Sequence, residues 1–199
     1  MVYPAYKYHR KSIRLRNYDY SQNGNYFITI CTYNREPLFG NIANGKMILT
    51  EYGEIVQKEW KKSEHIRKEI VLDEFIIMPN HFHAIVVIES SANTVGIRPF
   101  NDSSSADILS SRLNMGAQSL ASVIVGFKAS VTRKIHKLRQ IPDEKVWQRN
   151  YYEHIVRNED ELHRIQEYIR MNVAQWHEDQ YNPINVSANN KGGNNVITQ

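Results

Sequence analysis

The chain has 199 residues, 41% of them hydrophobic and 23% charged, enough for one domain with a real core plus appendages. No apolar run approaches the ~18 residues of a membrane span, and the basic start MVYPAYKYHRKSIRLR lacks the apolar stretch expected of a secretory signal. Cys31 is the single cysteine, which excludes an internal disulfide framework and cysteine-rich zinc sites and fits a reducing cytosol.

The formal net charge of +4 is unevenly spread. Residues 1–24 read as a basic arm in which Lys7, Arg10, Lys11, Arg14 and Arg16 are interleaved with Tyr3, Tyr6, Tyr8, Tyr18 and Tyr20. Cations attract phosphates and aromatic faces stack bases, so the mixture suits single-stranded nucleic acid; a solvated, frayed terminus is the plainer reading. After the turn-prone SQNGN, YFITICTYN (26–34) is rich in aromatic and β-branched residues and predicts a central strand. In LFGNIANGKMILT, Asn44-Gly45 between short apolar runs predicts a hairpin. Thr50 then caps a predicted helix with Tyr52, Ile55, Val56 and Trp60 at helical spacing.

Strands predicted at 70–78 and 81–88 form an antiparallel pair turning at Pro79-Asn80. The Ser/Asn/Gly-rich stretch 89–117 reads as a flexible insertion. From Ser119 onward, Leu120, Val123, Ile124, Phe127, Val131 and Ile135 define an amphipathic helix. Its other face carries a second basic cluster of Lys128, Arg133, Lys134, Lys137 and Arg139. The segment 146–157 has room for one more strand, and Asn158 with Glu161 forms a capping box for a final helix reaching Trp176. The organisation expected is an arm at 1–24, one domain over 25–178, and a polar, disordered tail at 179–199.

FIIMPNHFHAIVVI (75–88) places His81 and His83 two apart on an otherwise apolar strand, so both rings face the same side. One such histidine reads as structural, but two beside a turn favour a shared divalent ion over two unpaired buried rings. The chain has no helical H-E-x-x-H, and Ile85 stands where an HxHxD hydrolase has its aspartate. A barrel-type HxH site needs about 250 residues. On the final helix Tyr168 and Asn172, four apart, border the apolar stripe of Leu162, Ile165 and Ile169. Alone, Tyr168 is an ordinary core-edge residue; beside a two-histidine metal site its phenol can serve as a nucleophile, and the Asn172 amide oxygen as a hard ligand.

With these residues in place, the chain resembles the single-tyrosine HUH transposases, and among them the REP-associated tyrosine transposases. Three blocks carry the resemblance in order: RKSIRLRNYDYSQNGNYFITICTYNREPLFG, MPNHFHAIVVI, and WQRNYYEHIVRNEDELHRIQEYIRMN. It implies an α+β fold, a single domain with an antiparallel sheet flanked by helices, of the ferredoxin-like, HUH endonuclease type. It implies His81, His83 and Asn172 as ligands of Mg²⁺ or Mn²⁺ and Tyr168 as the nucleophile forming a 5′-phosphotyrosine with single-stranded DNA. Arg10, Lys11, Arg14, Arg16, Lys128, Arg133, Lys134 and Lys137 would hold the DNA backbone, the target being hairpin-forming repeats. The family contains monomers and homodimers. Asn172-Val173 departs from the Asn-Pro of many REP-associated members. Tyr151 and Tyr152 are rival nucleophiles, and a non-cutting hairpin-binding protein and a nuclease using water are the competing functions.

Overall fold

The computed structural model describes residues 20, 22–89, 119–141 and 143–185. Arg10, Lys11, Arg14 and Arg16 of the basic arm, nearly all of the 89–117 insertion, and the chain from 186 onward lie outside the described residues. Six strands and three α-helices are described: β1 (Gly24–Cys31), β2 (Gly40–Ala43), β3 (Lys46–Leu49), α1 (Glu51–Ile66), β4 (Ile70–Ile77), β5 (His81–Ile88), α2 (Leu120–Arg139), β6 (Tyr152–Val156) and α3 (Glu159–Met171). Strands β4-β5-β1-β6 form one sheet, antiparallel throughout. With β2-β3 set aside as a separate hairpin, the order of strands and crossover helices is that of a ferredoxin-like α+β domain.

Period-two alternation sorts the strand residues onto two faces. Tyr26, Ile28 and Ile30 of β1 and Phe82, Ala84, Val86 and Ile88 of β5 face α1 and α2, forming the main core with Val56, Trp60, Ile124 and Phe127. Trp60 stands edge-on to Phe82 and Phe127, with ring centroids 4.9 Å apart in both pairs. On the opposite face, Phe27, Ile85 and Val156 pack against Ile169, Leu162 and Ile165 of α3. Helices α1 and α2 thus cover one side of the sheet and α3 the other.

Local chemistry explains the element boundaries. Asn44 (φ 52°) and Gly45 (φ 69°) make the tight β2-β3 turn, both in the left-handed region that Asn and Gly tolerate. The Thr50 hydroxyl caps α1 by accepting from Gly53 N (3.3 Å), and Ser119 Oγ and Asn158 Oδ1 cap α2 and α3 likewise. A Cβ on Gly53 would sit 2.2 Å from Phe39 O, so only glycine permits this approach of α1 to the preceding loop.

Three boundaries differ from the sequence reading. The first strand ends at Cys31, because Thr32 leaves the ladder for an isolated bridge to Trp147 and Tyr33–Arg35 forms a 3-10 turn. The last helix ends at Met171; Trp176 N, Glu178 N and Asp179 N instead bond carbonyls three residues back, in successive tight turns. Residues 179–185, expected in a disordered tail, are ordered by these turns, with Asn182 buried.

Candidate metal and tyrosine site

Strand β5 begins with the two histidines, which pair across the ladder with the end of β1: His81 opposite Cys31 and His83 opposite Thr29. Both rings are buried on the α3 face, with centroids 4.5 Å apart. His83 Nδ1 lies 2.8 Å from Thr29 Oγ1, and its Nε2 lies 3.3 Å from the Tyr168 hydroxyl. The tautomer that donates from Nδ1 to Thr29 leaves Nε2 with a lone pair toward Tyr168.

Asn80 decides the tautomer of His81. Its Nδ2 donates to Arg35 O (3.0 Å) and Tyr181 O (2.7 Å), which turns Oδ1 toward His81 Nδ1 at 2.9 Å. Oδ1 is an acceptor, so His81 carries its proton on Nδ1 and directs the lone pair of Nε2 inward. That Nε2 is buried without a hydrogen-bond partner, and so is Asn172 Oδ1. The Asn172 side chain reaches His81, so the two unpaired acceptors are neighbours, an arrangement that is costly unless something positive accompanies them.

Burial favours the neutral form of His81, His83, Tyr168, Asp179 and Tyr181. It pushes His81, with His83 next to it, well below the ordinary histidine value, and brings His83 down to about 3. It pushes the Tyr168 phenol and the Asp179 carboxyl up, and Tyr181 up to about 12. Neutral imidazoles are the form that ligates metals. The donor set of two imidazole nitrogens, an amide oxygen and a nearby carboxylate therefore fits a divalent cation.

Helix α3 brings Tyr168 and Asn172 to the histidines. Ile165 and Ile169 seat it on Phe27 and Ile85, while Gln166 Nε2 donates to Asp73 Oδ2 (2.8 Å) and Arg170 to Glu74 Oε1 (2.7 and 2.9 Å). Asp73 and Glu74 sit at a register shift in edge strand β4, an extra-residue bend that aims both carboxylates at the helix. Tyr168 is 39% exposed, unlike the two buried histidines it adjoins. Its ring meets Phe27 at 6.1 Å and His83 at 5.3 Å.

His81, His83, Tyr168 and Asn172 are thus brought together. Lys128, Arg133, Lys134 and Lys137 are not: α2 lies on the far side of the sheet. There Lys128 Nζ donates to Gln148 O and Arg149 O, and Lys134 pairs with the buried Glu59. Lys128, Thr132, Arg133, Lys145 and Trp147 line a cavity of about 640 Å³ on that side. Tyr152 lies on the site face, 6.3 Å from Phe27, and Tyr151 packs against the main core.

Sequence reasoning missed four neighbours. Asp179 places Oδ2 3.8 Å from His81 Nε2, and the Tyr181 ring stands 4.7 Å from the His81 ring. Arg35 lies over the Tyr181 ring at 5.0 Å, on a turn whose Asn34 and Arg35 both have positive φ. Asn80 stands inside the MPNHFHAIVVI block, where its sequence context marks only a turn.

No protein-family model matches the chain. An uncharacterized protein of Haemophilus influenzae is 40% identical over 180 residues, 89% of this chain and 96% of that protein. Among solved structures, a REP-associated tyrosine transposase bound to a REP hairpin superposes with a TM-score of 0.53 at 17% identity, covering 81% of this chain and 73% of that one. The chain therefore belongs to one family with the Haemophilus influenzae protein, and its antiparallel sheet and helices form the fold of the transposase.

Proposed function

We propose that the protein is a metal-dependent, transposase-type endonuclease that cuts and rejoins single-stranded DNA through a covalent bond to Tyr168, acting in the cytoplasm. The observation that carries this reading is the meeting of the Tyr168 hydroxyl with His83 Nε2 at 3.3 Å, beside the unpartnered His81 Nε2 and Asn172 Oδ1. Mg²⁺ or Mn²⁺ held by His81, His83 and Asn172 would polarise the scissile phosphate and ease ionisation of the nearby phenol.

The chain's own groups account for the rest. Strand β5 and the Asn80 and Thr29 contacts hold both imidazoles in place, and Asn80 directs the His81 Nε2 lone pair inward. Tyr168 Oη forms a bond to phosphorus as the bond to the 3′ oxygen breaks; the proton lost by the phenol balances the one gained by the leaving 3′ oxygen. The products are a 5′-phosphotyrosine and a free 3′-OH, and attack by another 3′-OH reverses the step without hydrolysis or a nucleoside triphosphate. The neighbour of like fold is bound to a REP hairpin, which supports a hairpin-forming repeat as substrate. The basic arm and the exposed Arg133 and Lys137 of α2 would hold its backbone.

The test is incubation with labelled single-stranded hairpins and Mn²⁺. Wild-type protein should cleave; Tyr168→Phe should bind and not cleave; His83→Ala should lose cleavage. Cleavage that persists in Tyr168→Phe would assign the attack to water, and binding without cleavage by the wild type would leave a hairpin-binding protein.

A further inference from the structure

We propose that Asp179 is a fourth, anionic ligand of the cation held by His81, His83 and Asn172, delivered by the turns that follow α3. The inference rests on the metal-dependent reading above and adds to it a residue from a segment that looks like tail.

Asp179 Oδ2 lies 3.8 Å from His81 Nε2 with only 6% of its side chain exposed, and ligand atoms of His81, His83 and Asp179 lie within 4.8 Å of one another. The approach to His81 is not a hydrogen bond. Asn80 keeps the His81 proton on Nδ1, so the carboxylate faces a lone pair. Two acceptors directed at each other, with the orphaned Asn172 Oδ1 beside them, make a cluster that a cation satisfies and that is costly without one.

The turn that carries Asp179 is tied to the histidines. Asp179 Oδ1 accepts from Tyr181 N at 2.6 Å, which leaves Oδ2 for the site. Tyr181 O accepts from Asn80 Nδ2, so the side chain that sets the His81 tautomer also holds the Asp179 turn. Asp179 O further accepts from Asn182 N and Asn185 Nδ2, both at 3.0 Å. His81, His83 and Asn172 are neutral donors; Asp179 adds a negative charge and a second oxygen, moving the set toward the oxygen-preferring Mg²⁺ and Mn²⁺.

The experiment is calorimetric titration of Mn²⁺ into full-length protein stripped with chelator, comparing wild type, Asp179→Asn and His83→Ala. Asparagine keeps an acceptor for Tyr181 N while removing the charge. The expected result is an affinity about 10- to 100-fold weaker in Asp179→Asn. Equal affinity in Asp179→Asn and wild type, with binding lost in His83→Ala, would overturn the role of Asp179 and leave the three-ligand site standing. Absence of Mn²⁺ binding by the wild type, or undiminished binding by His83→Ala, would remove the metal reading itself. A second readout needs no variant: Mn²⁺ should slow hydrogen exchange of the Tyr181 and Asn182 amides in the wild type, and unchanged exchange there would count against the ligand.

Discussion

Asn80 is the residue on which the geometry of the site turns, since one amide satisfies two carbonyls and orients an imidazole. Asn80→Ala should leave those groups unpaired, costing about 1–3 kcal/mol of stability and about 10- to 100-fold in Mn²⁺ affinity, measured by denaturant unfolding and metal titration. Turn chemistry could place Asn80 in sequence, but its carbonyl partners lie 45 and 101 residues away, beyond any local pattern. His81, His83, Tyr168 and Asn172 were legible because each pair sits at a spacing that strand or helix geometry converts into proximity. Asp179 follows a run of turns that no periodicity encodes. Burial also ties stability to pH. Both histidines have folded pKa values below the ordinary ~6.5, so the unfolded chain binds the extra protons. The metal-free protein should be at full stability above about pH 6.5 and lose stability progressively on acidification below it, with His83 contributing to the loss down to about pH 3, as read by urea unfolding in chelator.

At the scale of elements, α3 is positioned by polar clamps as well as by its apolar stripe. Gln166 and Arg170 flank Tyr168 and reach Asp73 and Glu74 on the bent part of β4. Replacing both by alanine should cost only about 1 kcal/mol in global stability, because the Arg170–Glu74 pair is largely exposed. The single-turnover cleavage rate should fall about tenfold or more while Mn²⁺ affinity holds, because a helix free to shift misplaces the nucleophile. Equal loss of rate and metal affinity would mean that the clamps support the whole site. The strands, the Asn44-Gly45 hairpin and the caps at Thr50, Ser119 and Asn158 were readable because their determinants are local. The bend in β4 depends on its partner strand and gave no signal. The apolar stripe of α3 continues to Val173 and Trp176, so spacing alone extended the helix past the point where its hydrogen bonding changes.

Over the whole molecule, the sheet separates two chemistries. The α3 face holds the histidines and the tyrosine, and the α2 face holds the second basic cluster, whose members are not equivalent. Lys134 pairs with buried Glu59, which also accepts from Ser130, joining α1 to α2. Lys134→Met should therefore cost about 1 kcal/mol, because Lys134 is half exposed and Glu59 keeps Ser130 and Lys62. Arg133→Met and Lys137→Met should leave stability nearly unchanged and each reduce the salt dependence of hairpin binding by about one unit of slope. Composition marked this helix as basic, but only its packing tells structural lysines from available ones. Among the described residues no helix is long and apolar enough to cross a membrane. The central claim is that Tyr168 forms a covalent bond to DNA at this metal site. Its most direct measurement is mass-spectrometric mapping of peptides after reaction with a single-stranded hairpin and Mn²⁺. A nucleotide adduct on Tyr168 that disappears with chelator is the predicted result. An adduct on Tyr151 or Tyr152, or strand cleavage with no adduct, would contradict it.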